Sequence, residues 1–292
     1  NPTGGPPLLG FTFGSGPNLD LGPETATTWS VGTDFDPTDD LRVSLTYFNV
    51  SYKDQISALL SNLAILAQED QYAGTGVILR DQAARDRVQE LLDQGVTVRA
   101  NPIPGGDVAN VNLYVDGRGL NLGKSITRGI DFNITYTADL GPNDLLTLST
   151  SGTYLTSYKV AVSPTGALLD QLNLIFQPLK FKARVVANWD HGPFTLRASA
   201  THVGGYTNNV VTPSESVSSY TPVDLSVPWR VGESFGGGAL EGLELSGEVR
   251  NLFDQDPPYV NVAPGANGSG GYDATAANPI GRQFAAGARI RF

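Results

Sequence analysis

Nine segments that alternate apolar and polar residues, joined by connections that alternate short and long, predict an all-β chain. The specific expectation is an antiparallel transmembrane β-barrel. Period two marks strands with two different faces. Tight turns on one rim and long loops on the other are the habit of barrels set in an outer membrane. A soluble sandwich buries its apolar face in its own core and mixes loop lengths at both ends.

The segments follow in order. Trp29, Val31, Thr33 and Phe35 share one parity against Ser30, Gly32 and Asp34. Leu41, Val43, Leu45 and Tyr47 alternate with Arg42, Ser44 and Thr46. In the third, Leu120, Leu122, Ile126, Ile130, Phe132, Ile134 and Tyr136 fall on even numbers, and Leu146, Leu148, Tyr154 and Tyr158 mark the fourth. Leu179 to Trp189 on odd numbers alternate with Lys180, Lys182, Arg184, Asn188 and Asp190. Phe194, Leu196, Ala198 and Ala200 alternate with Thr195, Arg197, Ser199 and Thr201. Val223, Leu225, Val227 and Trp229 form the seventh, and Leu243, Leu245, Val249 and Phe253 the eighth, against Glu244, Ser246, Glu248 and Arg250. Phe284, Ala286, Ala288, Ile290 and Phe292 form the ninth, against Gln283, Arg289 and Arg291.

The short connections are 36–40, 139–143, 190–193 and the Gly-rich 232–238, all rich in turn formers. The long ones are about 55–117, 159–178, 204–219 and 254–282. The longest is expected to be an extracellular loop with a helical insert. Asp81 is its candidate cap, Ala84, Val88, Leu91 and Leu92 its apolar face, and Gly95 its end. This helix is either a lid or part of a small core on the rim.

Composition narrows the functional classes. Of 292 residues, 16% are charged, against roughly 25% in ordinary soluble domains. The net charge of −10 disfavours a nucleic-acid partner, which needs basic patches. There is no Cys, so disulfides and thiol chemistry are out, and two His do not make a multi-histidine metal site. No catalytic constellation is legible around His191 or His202. Asp254, Asp256 and Asp273 lack calcium-loop spacing and are expected to be solvated loop carboxylates. The Gly-rich run lacks the Lys-Ser/Thr of a phosphate loop and is expected to be a turn. No cofactor, metal ligand or catalytic residue is expected.

Side chains sort by face. Phe35, Tyr136, Trp189, Phe194, Trp229 and Phe292 lie at strand ends beside the short turns or the terminus, where an outward aromatic girdle belongs. Arg42, Lys180, Lys182, Arg184, Arg197, Glu244, Glu248, Arg250, Arg289 and Arg291 share the polar parity. On a lipid face each would cost about 2–4 kcal/mol at mid-depth, so they are expected to face a wet or plugged lumen. Lys124 and Arg128 carry the outward parity near the loop side, where they meet lipopolysaccharide phosphates or water.

Four stretches carry a resemblance. GPNLDLGPETATTWSVGTDF (Gly16 to Phe35), TRGIDFNITY (Thr127 to Tyr136), VRNLFDQDPPYVN (Val249 to Asn261) and GYDATAANPIGRQFAAGARIRF (Gly271 to Phe292) resemble, in this order, strands and the last loop of TonB-dependent outer-membrane receptors. The resemblance implies a 22-stranded barrel filled by an N-terminal plug, of which this chain would supply the last nine strands. The plug, the earlier strands and the TonB-contacting motif would lie upstream or on a companion chain. An odd strand count fits that expectation, since bacterial barrels close with even numbers. Phe284, Ile290 and Phe292 resemble the C-terminal signal read by the barrel-assembly machinery. The implied function is import of a scarce, bulky nutrient, such as an iron–siderophore complex, a cobalamin or an oligosaccharide, across a Gram-negative outer membrane. The implied partners are membrane lipid, lipopolysaccharide and the TonB protein, and no enzymatic activity is implied. The alternative is a structural or adhesive barrel without energised transport.

Overall fold

The computed structural model describes residues 11–14, 18, 20–58, 63–97, 106–235, 238–263 and 270–290. Its main sheet is a meander of nine strands in chain order: β1 (Thr25–Thr38), β2 (Leu41–Ala58), β3 (Gly119–Gly141), β4 (Asp144–Ala161), β5 (Phe181–His191), β6 (Phe194–Val203), β7 (Val223–Arg230), β8 (Leu243–Arg250) and β9 (Gln283–Ile290). A two-residue strand, Leu169–Asp170, adds to β4. The pairings from β4 to β9 are all antiparallel. All nine expected strands are present, and the short and long connections alternate as the spacing predicts.

The short connections are held by specific backbone chemistry. Asn143 and Gly192 take positive φ, the left-handed region that Asn and Gly tolerate best. Asp139 caps its turn through the Gly141 amide at 3.0 Å. The connection from β7 to β8 is more than a turn. It holds a helical turn, Val231–Ser234, and a 3₁₀ turn, Gly238–Leu240.

The chain divides into two compact units. One comprises Asn1–Thr28, Val50–Ile126 and Lys159–Asp170; the other comprises Trp29–Asn49, Thr127–Tyr158 and Gln171–Phe292.

The first unit contains a small domain with its own core. Phe11–Gly14 pairs in parallel with Leu113–Asp116, which pairs antiparallel with Ile78–Arg80. Leu66, Tyr72, Val77, Leu113, Val115 and Leu122 are buried together. Helix α1 (Asp81–Asp93) packs Ala84 and Val88 against Val111 and Tyr114, with Leu91 and Leu92 at the margin. Its apolar face is the expected one, and it serves a local core. Gly95, at φ 81°, ends it: Gly95 N donates to Leu92 O and Val96 N to Leu91 O, the paired bonds of a left-handed helix stop. The start differs from expectation. Asp81 is the first helical residue, the cap position is Arg80, and no side chain caps it. A second departure concerns Leu122, expected on the outward face of β3; it is buried in this loop core instead. Asp116 is buried and held by Arg118 through bonds of 2.9 and 2.6 Å.

The second unit has a core of its own among the long connections. Ile175, Leu179, Val203, Tyr206, Val217, Tyr220 and Val260 are buried together. Leu179, expected to open the outward face of β5, belongs to this core, because the strand starts at Phe181. Phe253, expected at the end of β8, follows the strand in a turn entered through Asn251 at φ 50°.

Candidate functional site: the polar face of the sheet

Cross-strand registers decide which residues share a face, because side chains directly opposite one another in antiparallel strands point the same way. Thr153 lies opposite Lys182, Ser151 opposite Arg184, and Thr147 opposite Asn188. Arg184 lies opposite Thr201, and Arg197 opposite Asn188 and Ser226. Ser226 lies opposite Glu248, and Glu244 opposite both Arg230 and Arg289. Lys182, Arg184, Arg197, Glu244, Glu248, Arg250 and Arg289 therefore share one face from β5 to β9. Arg42 has the parity of Ser44 and Thr46, which line the same surface. Arg291 and Phe292 lie outside the described residues.

Lys180 stands apart from this group. It precedes β5, and its ammonium lies 5.4 Å from the centre of the Tyr154 ring. Tyr154 lies opposite Phe181, on the apolar face.

The polar face is concave between β2 and β6. Ser44, Thr46, Asp131, Asn133, Ser151, Thr153, Lys182, Arg184 and Thr201 line a cleft of about 530 Å³. The Arg184 guanidinium donates to Ser199 Oγ at 2.8 Å and Thr201 Oγ1 at 3.2 Å. Thr153 donates to Asp131 Oδ1 at 2.6 Å. Arg197 Nε donates to Asn188 Oδ1 at 2.7 Å, and Arg250 Nε to Glu248 Oε1 at 2.6 Å. Hydroxyl and amide partners hold these cations in fixed positions while leaving their charge uncompensated by a direct carboxylate bond at Arg184 and Arg197. Such a surface suits water, anionic groups and hydroxyl-rich solutes; a hydrocarbon contact would desolvate the charges at high cost. Apolar side chains also enter this parity: Phe48 and Leu155 close on Gly129, where an added Cβ would meet the Phe48 ring at 2.8 Å.

The opposite face is apolar and aromatic. Phe194 stacks on Trp229 at 5.6 Å, and Trp189 contacts His191 at 5.2 Å, all beside the short connections. Trp189 Nε1 donates to Asp144, and Trp229 Nε1 to Ser234 Oγ at 2.7 Å. Each indole thus has an apolar body and a satisfied polar handle. Phe35 and Tyr136 are exposed on their strands, as are Phe284 and Ile290 on β9. A second aromatic group includes Tyr154. Phe181 contacts Phe132, Tyr154 and His202 at 6.3, 6.4 and 5.7 Å around Gly152, which leaves room for the rings.

Asp254 and Asp256 are exposed, as expected, whereas Asp273 is not. Asp273 is 1% exposed. Its carboxylate accepts from the Thr275 amide at 2.8 Å, the Thr275 hydroxyl at 2.6 Å and the Phe176 amide at 3.4 Å. Burial, with this carboxylate beside the hydroxyl, raises the Tyr206 pKa well above its ordinary value. Asp273 is therefore the pin that joins three connections, not a solvated side chain. Its bonds to residues far away in sequence gave no local signal. Asp254 accepts from the Arg282 amide at 2.7 Å. Among the described residues, no cluster of three or more His, Cys, Asp and Glu is placed to hold a metal ion.

The sequence matches, over residues 1–252, the family described as TonB dependent receptor-like, beta-barrel. No curated protein matches it. Among solved structures, a mutant of the ferric enterobactin receptor of Pseudomonas aeruginosa is 21% identical, with a TM-score of 0.53 over 89% of this chain and 30% of that one. The siderophore receptor PirA of Acinetobacter baumannii is 18% identical, with a TM-score of 0.55 over 94% and 32%. The outer membrane transporter YddB of Escherichia coli is 11% identical, with a TM-score of 0.54 over 96% and 33%. At these identities the likeness is one of fold, and the chain spans about a third of each of those proteins. The nine-strand meander and the match over 252 of its residues place this chain in the TonB-dependent receptor β-barrel family.

Proposed function

We propose that this chain forms part of the wall of an outer-membrane, TonB-dependent transporter that imports a scarce, bulky nutrient. The candidates are an iron–siderophore complex, a cobalamin or an oligosaccharide. The observation that carries the reading is the two-faced sheet, with its charged and hydroxylated residues on one face and its apolar and aromatic residues on the other. In lipid, only a closed barrel satisfies the backbone groups of a sheet, and a polar face then lines its interior. In this reading Lys182, Arg184 and Arg197 face a plug or a passing solute. Phe35, Tyr136, Trp189, Phe194 and Trp229 form the aromatic girdle, to which Phe292 belongs by parity, and Phe284 and Ile290 contribute to the assembly signal. The long connections capture ligand, and energy delivered through the TonB protein moves the plug. The wall itself does no covalent chemistry.

The test is uptake of labelled ferric siderophores, cobalamin and oligosaccharides by cells with and without the receptor, in the presence and absence of TonB. Receptor- and TonB-dependent accumulation of one class is the expected result. Accumulation of none, in cells whose receptor is folded in the outer membrane, refutes transport and favours a structural or adhesive barrel. If transport is found, Lys182→Ala with Arg184→Ala should slow uptake while leaving binding to the cell surface intact.

A further inference from the structure

The connection between β7 and β8 differs from its fellows. The other tight hairpins use two residues each, 39–40, 142–143 and 192–193; this one uses twelve, 231–242. It is folded. Val231 and Gly232 are buried, and an added Cβ on Gly232 would meet Leu240 O at 2.7 Å, so the helical turn and the 3₁₀ turn pack backbone to backbone. Its two sides have opposite character. On one, Arg230 donates to Glu233 Oε1 at 2.8 Å and also to the Gly192 carbonyl. On the other, Phe235 projects with 66% of its surface exposed, and Leu240 is exposed as well. The Phe235 ring is 6.2 Å from Trp229, which stacks on Phe194. Ser234, the residue before Phe235, takes the Trp229 indole N–H. The apolar face of the sheet thus continues past the strand ends, through Phe194, Trp229 and Phe235, onto a folded connection.

We propose that this connection is a membrane-interface foot, with Phe235 and Leu240 seated in the boundary between lipid headgroups and acyl chains of the leaflet beside the short connections. The occupant is lipid. An exposed Phe that prolongs an apolar sheet face without a break is contacted by whatever contacts that face, and an amphipathic helical turn with its ion pair on the far side suits the plane of an interface. Two large apolar side chains exposed to water would otherwise forgo their hydrophobic stabilisation for no gain. The inference rests on the membrane placement proposed above.

This chain has no cysteine, so in a receptor with any cysteines outside it replaced, single cysteines introduce one spin label each. Labels at 235 (Phe235→Cys), 240 (Leu240→Cys), 233 (Glu233→Cys) and 227 (Val227→Cys) are compared in the receptor reconstituted in phosphatidylethanolamine–phosphatidylglycerol vesicles. Collisions with oxygen report lipid, and collisions with a nickel chelate report water. The expected result is an oxygen-to-nickel ratio several-fold higher at 235 and 240 than at 233. Position 227, on the apolar face of β7, checks the placement itself. A lipid-like ratio at 227 with water-like ratios at 235 and 240 overturns the foot and leaves the placement standing. A water-like ratio at 227 overturns the placement. Low collision with both reagents at 235 and 240 means a protein covers them, which also overturns the proposal.

Discussion

Replacing Asp273 by Ala isolates the contribution of one buried carboxylate to a loop core. The substitution removes the acceptor for the Thr275 amide and hydroxyl and the Phe176 amide, and the carboxylate beside the Tyr206 hydroxyl. The Thr275 hydroxyl can turn to another partner, and the 3.4 Å Phe176 bond is weak. The Thr275 amide is then the donor left stranded. A hydrogen bond to a charged group is worth about 1.5–3 kcal/mol, and a stranded buried donor costs about 1–3 kcal/mol. The expected loss is about 3 kcal/mol, near the upper end for a single substitution. Because about 1.4 kcal/mol is tenfold in an equilibrium, local opening should rise roughly a hundredfold. Asp273→Asn keeps one acceptor oxygen and should lose about half as much free energy. Hydrogen exchange followed by mass spectrometry reads this directly. Peptides covering 171–179, 204–220 and 271–278 should exchange faster together, and those covering 81–97 should not change. An unchanged rate in the three connections, or a uniform rise everywhere, would refute the pin.

The Tyr206 hydroxyl is held protonated above its ordinary pKa of 10, so its stabilisation is complete below pH 10 and is lost as pH rises from there. The exchange difference between wild type and Tyr206→Phe should therefore shrink above pH 10 and be constant below it. Gly152→Ala places a Cβ 2.6 Å from both Lys182 O and the Phe132 ring, and should cost about 1–3 kcal/mol by overpacking. Gly247→Ala meets nothing within 4 Å and should be neutral or slightly stabilising; heat-modifiable gel mobility compares the two. Arg118→Ala removes the ion-pair partner of the buried Asp116. With the Arg118 side chain 23% exposed, the cost should fall near the lower end of the range for a broken buried pair, about 3 kcal/mol, seen as faster exchange in 113–122. Adding Asp116→Asn should restore most of it.

The strands were legible because each carries two faces of opposite character, and period two records that contrast locally. Lys182, Arg184 and Arg197 could be placed on one face by parity alone, and the registers agree. The failures occur where parity stops deciding. Leu122 and Leu179 carry the outward parity, yet loop cores claim them, and no local pattern announces a core built from distant segments. Leu113–Asp116 is buried on both faces, so it has no alternation to detect. Its parallel partner, Phe11–Gly14, lies about a hundred residues earlier. Asp273 reads as any loop acid, because its bonds to Thr275 are those of an ordinary turn and its burial comes from segments as distant as Phe176. Lys180 lies before the first residue of β5, where parity no longer decides, and its ammonium covers Tyr154.

The central claim is that the two faces of the sheet meet different solvents, and β5 tests it residue by residue. Single cysteines from 182 to 189, in receptor-bearing outer membranes, are exposed to a membrane-impermeant maleimide. Positions 182, 184, 186 and 188 should react, and 183, 185, 187 and 189 should be protected, with the order reversed in β6 from 195 to 200. Labelling of the odd positions of β5, or reactivity without alternation, would contradict the account.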